Sequence, residues 1–349
     1  MSGRGAGRLV DAYDLVIFDL DGVVYLIDEP IPGAVEAIGR LHDEGRSVSY
    51  ATNNASRRAA DVAELLTGMG VPAGADEVVT SAGAAAAVLA GRLAPGDRVL
   101  VVGADALRDE IAEAGLVPVT RADEEPVAVV QGYGPRVGWA ELAEAAVAVR
   151  AGAVWVATNT DRTLPSPRGP LPGNGSLVAV LRTALDRDPD IVVGKPAPGL
   201  FRTGAQRVGS SRPLVVGDRL DTDIEGAVRA GMDSLLVLTG VSDVPELLAA
   251  PAARRPTFVG YDLGGLFDVD GAVRVPAGEP EAGGWRVSND GGGLRLDGAG
   301  PTLDALAALC AAAWSPSPDR DEGTAGQAVT VVGDSEPARA ALGELGLAD

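Results

Sequence analysis

Leu15-Val16-Ile17-Phe18-Asp19-Leu20-Asp21-Gly22-Val23-Val24-Tyr25 is an apolar run that stops at two carboxylates separated by a single residue. Val16, Ile17 and Phe18 are β-branched or aromatic, and such a short run predicts a buried strand of a parallel sheet. In open α/β sheets ligands collect beyond the carboxyl ends of the strands, which is where Asp19 and Asp21 fall. Gly22 lets the backbone turn away close to whatever binds there. Two acids at one strand end suit a metal-assisted nucleophile with a neighbouring acid/base. A solvated loop after a strand would read the same way, so other strand ends have to decide.

Of the 29 basic residues in the 349-residue chain, only Lys195 is a lysine. In so arginine-rich a chain a lone lysine survives either by chance or where a compact point charge serves and a planar fork does not. It lies in Ile191-Val192-Val193-Gly194-Lys195-Pro196, again just past a short apolar run, which favours a phosphate-facing role. Val48-Ser49-Tyr50-Ala51 leads into Thr52-Asn53-Asn54, and Leu214-Val215-Val216 into Gly217-Asp218-Arg219-Leu220-Asp221-Thr222-Asp223. Small polar donors at the first suit phosphoryl oxygens, and clustered carboxylates at the second suit a hard divalent cation. Each alone also reads as local structure, a helix cap in one case and a turn in the other. Four strand ends carrying acid, hydroxyl, ammonium and acid in that order argue for one site.

The series Asp19-Leu20-Asp21-Gly22, Thr52-Asn53-Asn54, Gly194-Lys195-Pro196 and Gly217-Asp218…Thr222-Asp223 resembles the haloacid dehalogenase superfamily. Its Gly-Asp-x-x-x-Thr-Asp form and the Thr-Asn-Asn are similar to the type IIA phosphatases: the NagD group, phosphoglycolate and glycerol-3-phosphate phosphatases, and pyridoxal-phosphate phosphatase. The resemblance covers residues 10–270. It implies an α/β fold, a Rossmann-like parallel sheet core with an inserted α/β cap of the C2 type. It implies hydrolysis of small phosphomonoesters through an aspartyl-phosphate, with Asp19 as nucleophile and Asp21 as acid and then base. It implies Mg²⁺ on the Asp19 carboxylate, the Asp21 backbone carbonyl and Asp218, with Asp223 supporting the metal's waters. Thr52, Asn53, Asn54 and Lys195 would meet the phosphoryl group. A homodimer through the cap is a further expectation.

Strand and helix patterns alternate from Asp14 onward, and the interval from Thr52 to Lys195 is too long for one crossover. It carries its own alternation, which predicts a second α/β unit over 95–187 inserted into a core of 10–94 and 188–270. A Gly/Pro/Asp-rich stretch at 271–284 reads as a linker to a small α/β appendage at 285–349. There Arg295-x-x-Gly298-x-Gly300 before a helix resembles the acyl-CoA pyrophosphate loop of GCN5-type acetyltransferases, although Pro301 follows at once and the appendage is too short for that whole fold.

A net charge of −20 leaves no basic stripe for nucleic acid and disfavours anionic membrane surfaces. No apolar run approaches the roughly 20 residues that span a bilayer, and residues 1–7 read as a frayed end. Cys310 is the single cysteine, which excludes an internal disulfide framework and suits a reducing cytoplasm; buried packing is its expected role. His42 is the single histidine, expected as a favourable charge near a helix end, so a Ser-His-Asp triad and multi-histidine zinc sites are excluded.

The stretch Ala157-Thr158-Asn159-Thr160-Asp161-Arg162-Thr163-Leu164-Pro165 resembles the family's cap segment over the phosphate pocket. Asn159, Asp161 and Arg162 are polar enough to meet a short hydroxylated chain. Leu164 stands where pyridoxal-phosphate phosphatases tend to carry a histidine. Glycerol 3-phosphate is therefore the expected substrate, with 2-phosphoglycolate next. Pyridoxal phosphate, a nucleoside monophosphate, or a slow phosphometabolite sensor acting through the tail remain as alternatives.

Overall fold

The computed structural model describes residues 7–27, 29–276, 280–289, 293–315 and 329–347. The expectation for residues 1–6 falls outside them. The chain forms two compact units: the described residues of 1–24, 31–47 and 210–349 make the first, those of 25–30 and 48–209 the second.

In the first unit, strands Leu15–Phe18, Pro213–Gly217, Asp233–Val237 and Phe258–Gly260 run parallel in that spatial order. The register pairs Phe18 with Val216, so the two strands stop together and deliver Asp19 and Asp218 side by side. All four residues of Leu15–Phe18 are buried, as a strand covered on both faces requires. Helix Ala34–Asp43 buries Ala34, Ala37, Ile38 and Leu41, a period of three to four that matches one face.

The stretch 271–284 is not a free linker. Ala272–Arg274 adds antiparallel to Phe258–Gly260 at the sheet edge, and Glu281–Ala282 opens a hairpin with Trp285–Asn289. Strands of two or three residues among glycines carry too little periodicity to be seen in sequence. The tail sheet continues through Leu294–Gly298 to Val331–Gly333, with helices Thr302–Trp314 and Glu336–Glu344. Leu303, Leu306 and Leu309 are buried in one apolar cluster with Leu236, Leu247 and Val259 of the parallel-sheet region. At about 1.5–3 kcal/mol per buried leucine, such packing joins the tail to the first unit as a shared core. Trp314 Nε1 also donates to the Leu247 carbonyl at 3.1 Å.

In the second unit, strand Ser47–Thr52 pairs in parallel with Val78–Thr80. A five-stranded parallel sheet is ordered Ile191–Val192, Val154–Ala157, Ala128–Gln131, Arg98–Val102 and Val117–Val119. Pro118, which cannot donate to a ladder, sits in the last of these, an edge strand. Residues 48–94 and 188–209 group with 95–187 in this unit. Helix Ser81–Ala90 shows why: its buried alanines share a cluster with Val99, Val101, Leu107 and Val130.

Candidate active site

Asp19 follows its strand directly, and its N–H donates to the Val216 carbonyl at 2.9 Å, so the ladder persists to the acid itself. One oxygen from each of Asp19, Asp218 and Asp223 lies within 4.8 Å of the others, and all three residues are buried. Like charges about 4 Å apart repel by roughly 4 kcal/mol per pair at an effective dielectric of 20. Three carboxylate oxygens this close together suit a small hard dication.

The backbone around these acids leaves no room for side chains. Gly22 has φ +84°, and a Cβ on it would lie 2.5 Å from Asp218 Oδ2; a Cβ on Gly240 would overlap the same oxygen. Val241 N–H donates to Asp218 Oδ2 at 2.7 Å, fixing the carboxylate's rotation. Asp223 lies in a π-helical turn, Leu220–Ile224, and its Oδ2 accepts from the Arg219 N–H at 3.1 Å. Such turns re-aim a side chain relative to an ordinary helix. Asp21 is half-buried, and its carboxyl is outside the three-acid group.

In the second unit, Thr52 ends its strand, and its Oγ1 accepts from the Asn54 N–H at 3.1 Å. Asn54 Oδ1 in turn accepts from the Ser56 N–H at 2.8 Å, so the loop is a pair of side-chain-closed turns. Asn53 is the hub. Its Oδ1 accepts from the Lys195 N–H at 2.7 Å, and its Nδ2 donates to the Lys195 carbonyl at 3.1 Å. That amide clamp fixes the backbone of the solitary lysine, which is only 2% exposed. Gly194 makes the approach possible, since a Cβ there would lie 2.5 Å from the Thr158 carbonyl. Lys195 therefore hangs beyond Ile191–Val192, which pairs with Val154–Ala157.

The cap-segment residues divide. Asn159 Nδ2 donates to the Asn53 carbonyl at 2.6 Å, and both Asp161 carboxylate oxygens accept from Asn53 Nδ2 at 3.1 Å. Arg162 is exposed, and Leu164 is half-buried in the hairpin of Thr163–Leu164 with Leu171–Pro172. Sequence reading missed Asn174, which donates to the Asn159 carbonyl at 2.8 Å, and Ser81, whose hydroxyl donates to the Asn53 carbonyl at 2.6 Å. The signal for Asn174 was its two flanking glycines, Gly173 and Gly175.

His42 Nδ1 donates to the Ile38 carbonyl at 3.0 Å, a local helix contact. Cys310 is fully buried, and burial pushes its thiol pKa up, away from reactivity. In the tail, the space before helix Thr302–Trp314 is filled by the chain itself. A Cβ on Gly298 would overlap the Gly284 carbonyl and one on Gly300 the Gly283 carbonyl, while Trp285 Nε1 donates to the Pro301 carbonyl at 2.9 Å. Arg295 is paired with Asp334. These glycines let the hairpin and the start of the helix pack closely.

Residues 16–117 match the family model of haloacid dehalogenase-like hydrolases, and 192–266 a HAD-hydrolase-like model. Residues 282–347 match a GCN5-related N-acetyltransferase like domain. The chain is 48% identical over 288 residues to the D-glycerol 3-phosphate phosphatase of Mycobacterium tuberculosis, covering 82% of this chain and 79% of that one. An acid sugar phosphatase of Staphylococcus aureus is 36% identical over 237 residues, 67% of this chain and 90% of the relative. The crystal structure of a glycerol phosphate phosphatase from M. tuberculosis in complex with magnesium matches with TM-score 0.88 and 44% identity, over 98% of this chain and 99% of that one. A 4-nitrophenylphosphatase from Thermotoga maritima matches with TM-score 0.68 and 33% identity, over 74% and 98%.

Proposed function

The chain belongs to the haloacid dehalogenase-like hydrolases and is a phosphoric monoester hydrolase, and from that premise we propose that its substrate is glycerol 3-phosphate. The observation that carries the chemistry is Asp19 at its strand end, grouped with Asp218 and Asp223. The substrate assignment is supported by the 48% identity to a D-glycerol 3-phosphate phosphatase and by Leu164, which offers no hydrogen bond to a pyridoxal ring.

Asp19 Oδ attacks phosphorus as the ester P–O bond breaks, and Asp21 gives its proton to the departing alkoxide. Asp21 then takes a proton from water, whose oxygen attacks the same phosphorus while the Asp19–phosphorus bond breaks. Thr52, the Asn53 N–H and Lys195 hold phosphoryl oxygens, since this reaction asks mainly for positioning and charge stabilisation. Asp19, Asp218 and the Asp21 carbonyl, with Asp223 behind them, would hold Mg²⁺, which supplies positive charge against the phosphoryl oxygens.

Among the described residues no helix is long and apolar enough to cross a membrane. We place the enzyme in the cytoplasm, where a single buried thiol stays reduced, and as a homodimer through the cap. Trp139, 83% exposed at the start of helix Trp139–Arg150, supports that dimer. The net charge of −20 supports a small phosphorylated metabolite rather than nucleic acid as partner.

Phosphate release with Mg²⁺ from glycerol 3-phosphate, 2-phosphoglycolate and pyridoxal phosphate tests the substrate. The expected order of kcat/KM is as written. A value at least about tenfold higher for pyridoxal phosphate than for glycerol 3-phosphate, roughly 1.4 kcal/mol of transition-state preference, would overturn it.

A further inference from the structure

We propose that Asn174 is a positioning residue for the phosphate-binding lysine, acting through Asn159 and Asn53; the proposal rests on Lys195 serving phosphate as set out above. Asn174 is 1% exposed and opens helix Asn174–Leu185, far in sequence from the motifs that name the family.

Its Nδ2 donates to two carbonyls from different strand ends, Asn159 at 2.8 Å and Gln131 at 3.3 Å. Gln131 ends the strand Ala128–Gln131, and Asn159 lies two residues past Val154–Ala157. One amide thus ties together the mouths of neighbouring strands. Its glycine neighbours bring the helix start against the same loop. Gly173 N–H donates to the Arg162 carbonyl at 2.9 Å and Gly175 N–H to the Asp161 carbonyl at 2.8 Å. A Cβ on Gly173 would overlap the Asp161 carbonyl and one on Gly175 the Thr160 carbonyl, so only glycine permits this approach. The first N–H groups of a helix lack intrahelical partners, and here the Asp161 and Arg162 carbonyls take those of Gly175 and Gly173.

The loop so fixed faces Asn53. Asn159 Nδ2 donates to the Asn53 carbonyl at 2.6 Å, and the Asp161 carboxylate accepts from Asn53 Nδ2. Asn53 Oδ1 accepts from the Lys195 N–H, and the same Nδ2 donates to the Lys195 carbonyl. Every link from Asn174 to Lys195 is a hydrogen bond between buried or half-buried groups, where an unpaired partner is costly. Losing the first link frees the Asn159 carbonyl and lets the loop move against Asn53. A shift of about 1 Å in a phosphate-holding group can cost ~100-fold in rate. Asn159 and Asp161 then act on phosphate through Asn53 rather than by meeting the alcohol portion of the substrate.

The test compares wild type, Asn174→Ala, Asn159→Ser and the double variant. Inorganic phosphate binding is measured by calorimetry in Mg²⁺, beside kcat and KM for glycerol 3-phosphate and a thermal melt. The expected result is about a tenfold loss of phosphate affinity in each single variant and nearly the same loss in the double, because both cut one chain of contacts. KM should rise by a similar factor, a change that loss of stability alone would not produce in folded protein. Unchanged phosphate affinity in folded Asn174→Ala, or losses that multiply in the double variant, would overturn the proposal. If Asn174→Ala does not fold, Asn159→Ser decides, since it keeps the carbonyl that Asn174 holds and cuts the link to Asn53; wild-type affinity in that variant would equally overturn it. A wild type that binds phosphate without hydrolysing glycerol 3-phosphate would instead count against the substrate assignment.

Discussion

Two buried carboxylates of the first unit, Asp218 and Asp304, sit in similar local settings with different consequences. Asp218 follows strand Pro213–Gly217 and is crowded by Gly22 and Gly240; Asp304 lies in the first turn of helix Thr302–Trp314 and is crowded by Gly283. In both, a Cβ on the glycine would collide with the acid. Asp218 has two further acids within reach, Asp19 and Asp223, the one such group of three among the described residues. Asp304 has instead, against it, the turn Gly283-Gly284 between strands Glu281–Ala282 and Trp285–Asn289. A glycine against a carboxylate reports close backbone approach, and only the company the carboxylate keeps says whether a ligand is the reason.

The comparison breaks most visibly at Asp19. Asp19→Asn should keep the fold and lose turnover by a thousandfold or more, because an amide is no nucleophile; phosphate release from a contamination-controlled preparation is the check. Next come changes that keep every acid and disturb only their surroundings. Gly240→Ala would press a methyl onto Asp218 Oδ2 and should lower kcat/KM by about 100-fold, as should Lys195→Arg, whose wider fork crowds the phosphoryl group. Near-normal kinetics in either would mean that the acid cluster or the lone lysine tolerates more than its packing implies.

The matching change in the tail should behave differently. Gly300→Ala meets the Gly283 carbonyl and should destabilise by about 1–3 kcal/mol, lowering Tm by several degrees, with the folded enzyme's kcat/KM unaltered. A loss of kcat/KM without a loss of Tm would give that loop a catalytic role. The smallest effect is at Cys310. Its buried thiol should ignore a thiol reagent in native protein at neutral pH and react fully once unfolded. Fast labelling of native enzyme would show that the shared core opens readily.

The acid, hydroxyl and lysine strand ends were legible because each ends an apolar run with a residue type that packing does not call for. Helix Ala34–Asp43 keeps an apolar period in its sequence, with Ala34, Ala37, Ile38 and Leu41 buried. What stayed hidden was set by contacts distant in sequence. Ala272–Arg274 is a strand because Phe258–Gly260 lies beside it, and Leu303 and Leu309 join the parallel-sheet region because Leu247 and Val259 are there to meet them. The hydrogen bonds of Asn159 and Asp161 to Asn53 were hidden because polar residues in a loop carry no mark of their partner. Asn53 is that partner, more than a hundred residues earlier in the chain. Asn174 had the weakest signal of all, two glycines beside a polar residue.

Asp21→Asn with p-nitrophenyl phosphate tests whether Asp19 becomes phosphorylated during turnover. The nitrophenolate leaves without acid help, whereas hydrolysis of the intermediate needs the missing base, so the intermediate should accumulate. A burst of about one nitrophenolate per enzyme is expected, with the phosphoryl group located on Asp19 by mass spectrometry of acid-quenched protein. A phosphoryl group on any other residue, or steady turnover of Asp21→Asn with no burst and no labelled Asp19, would contradict it.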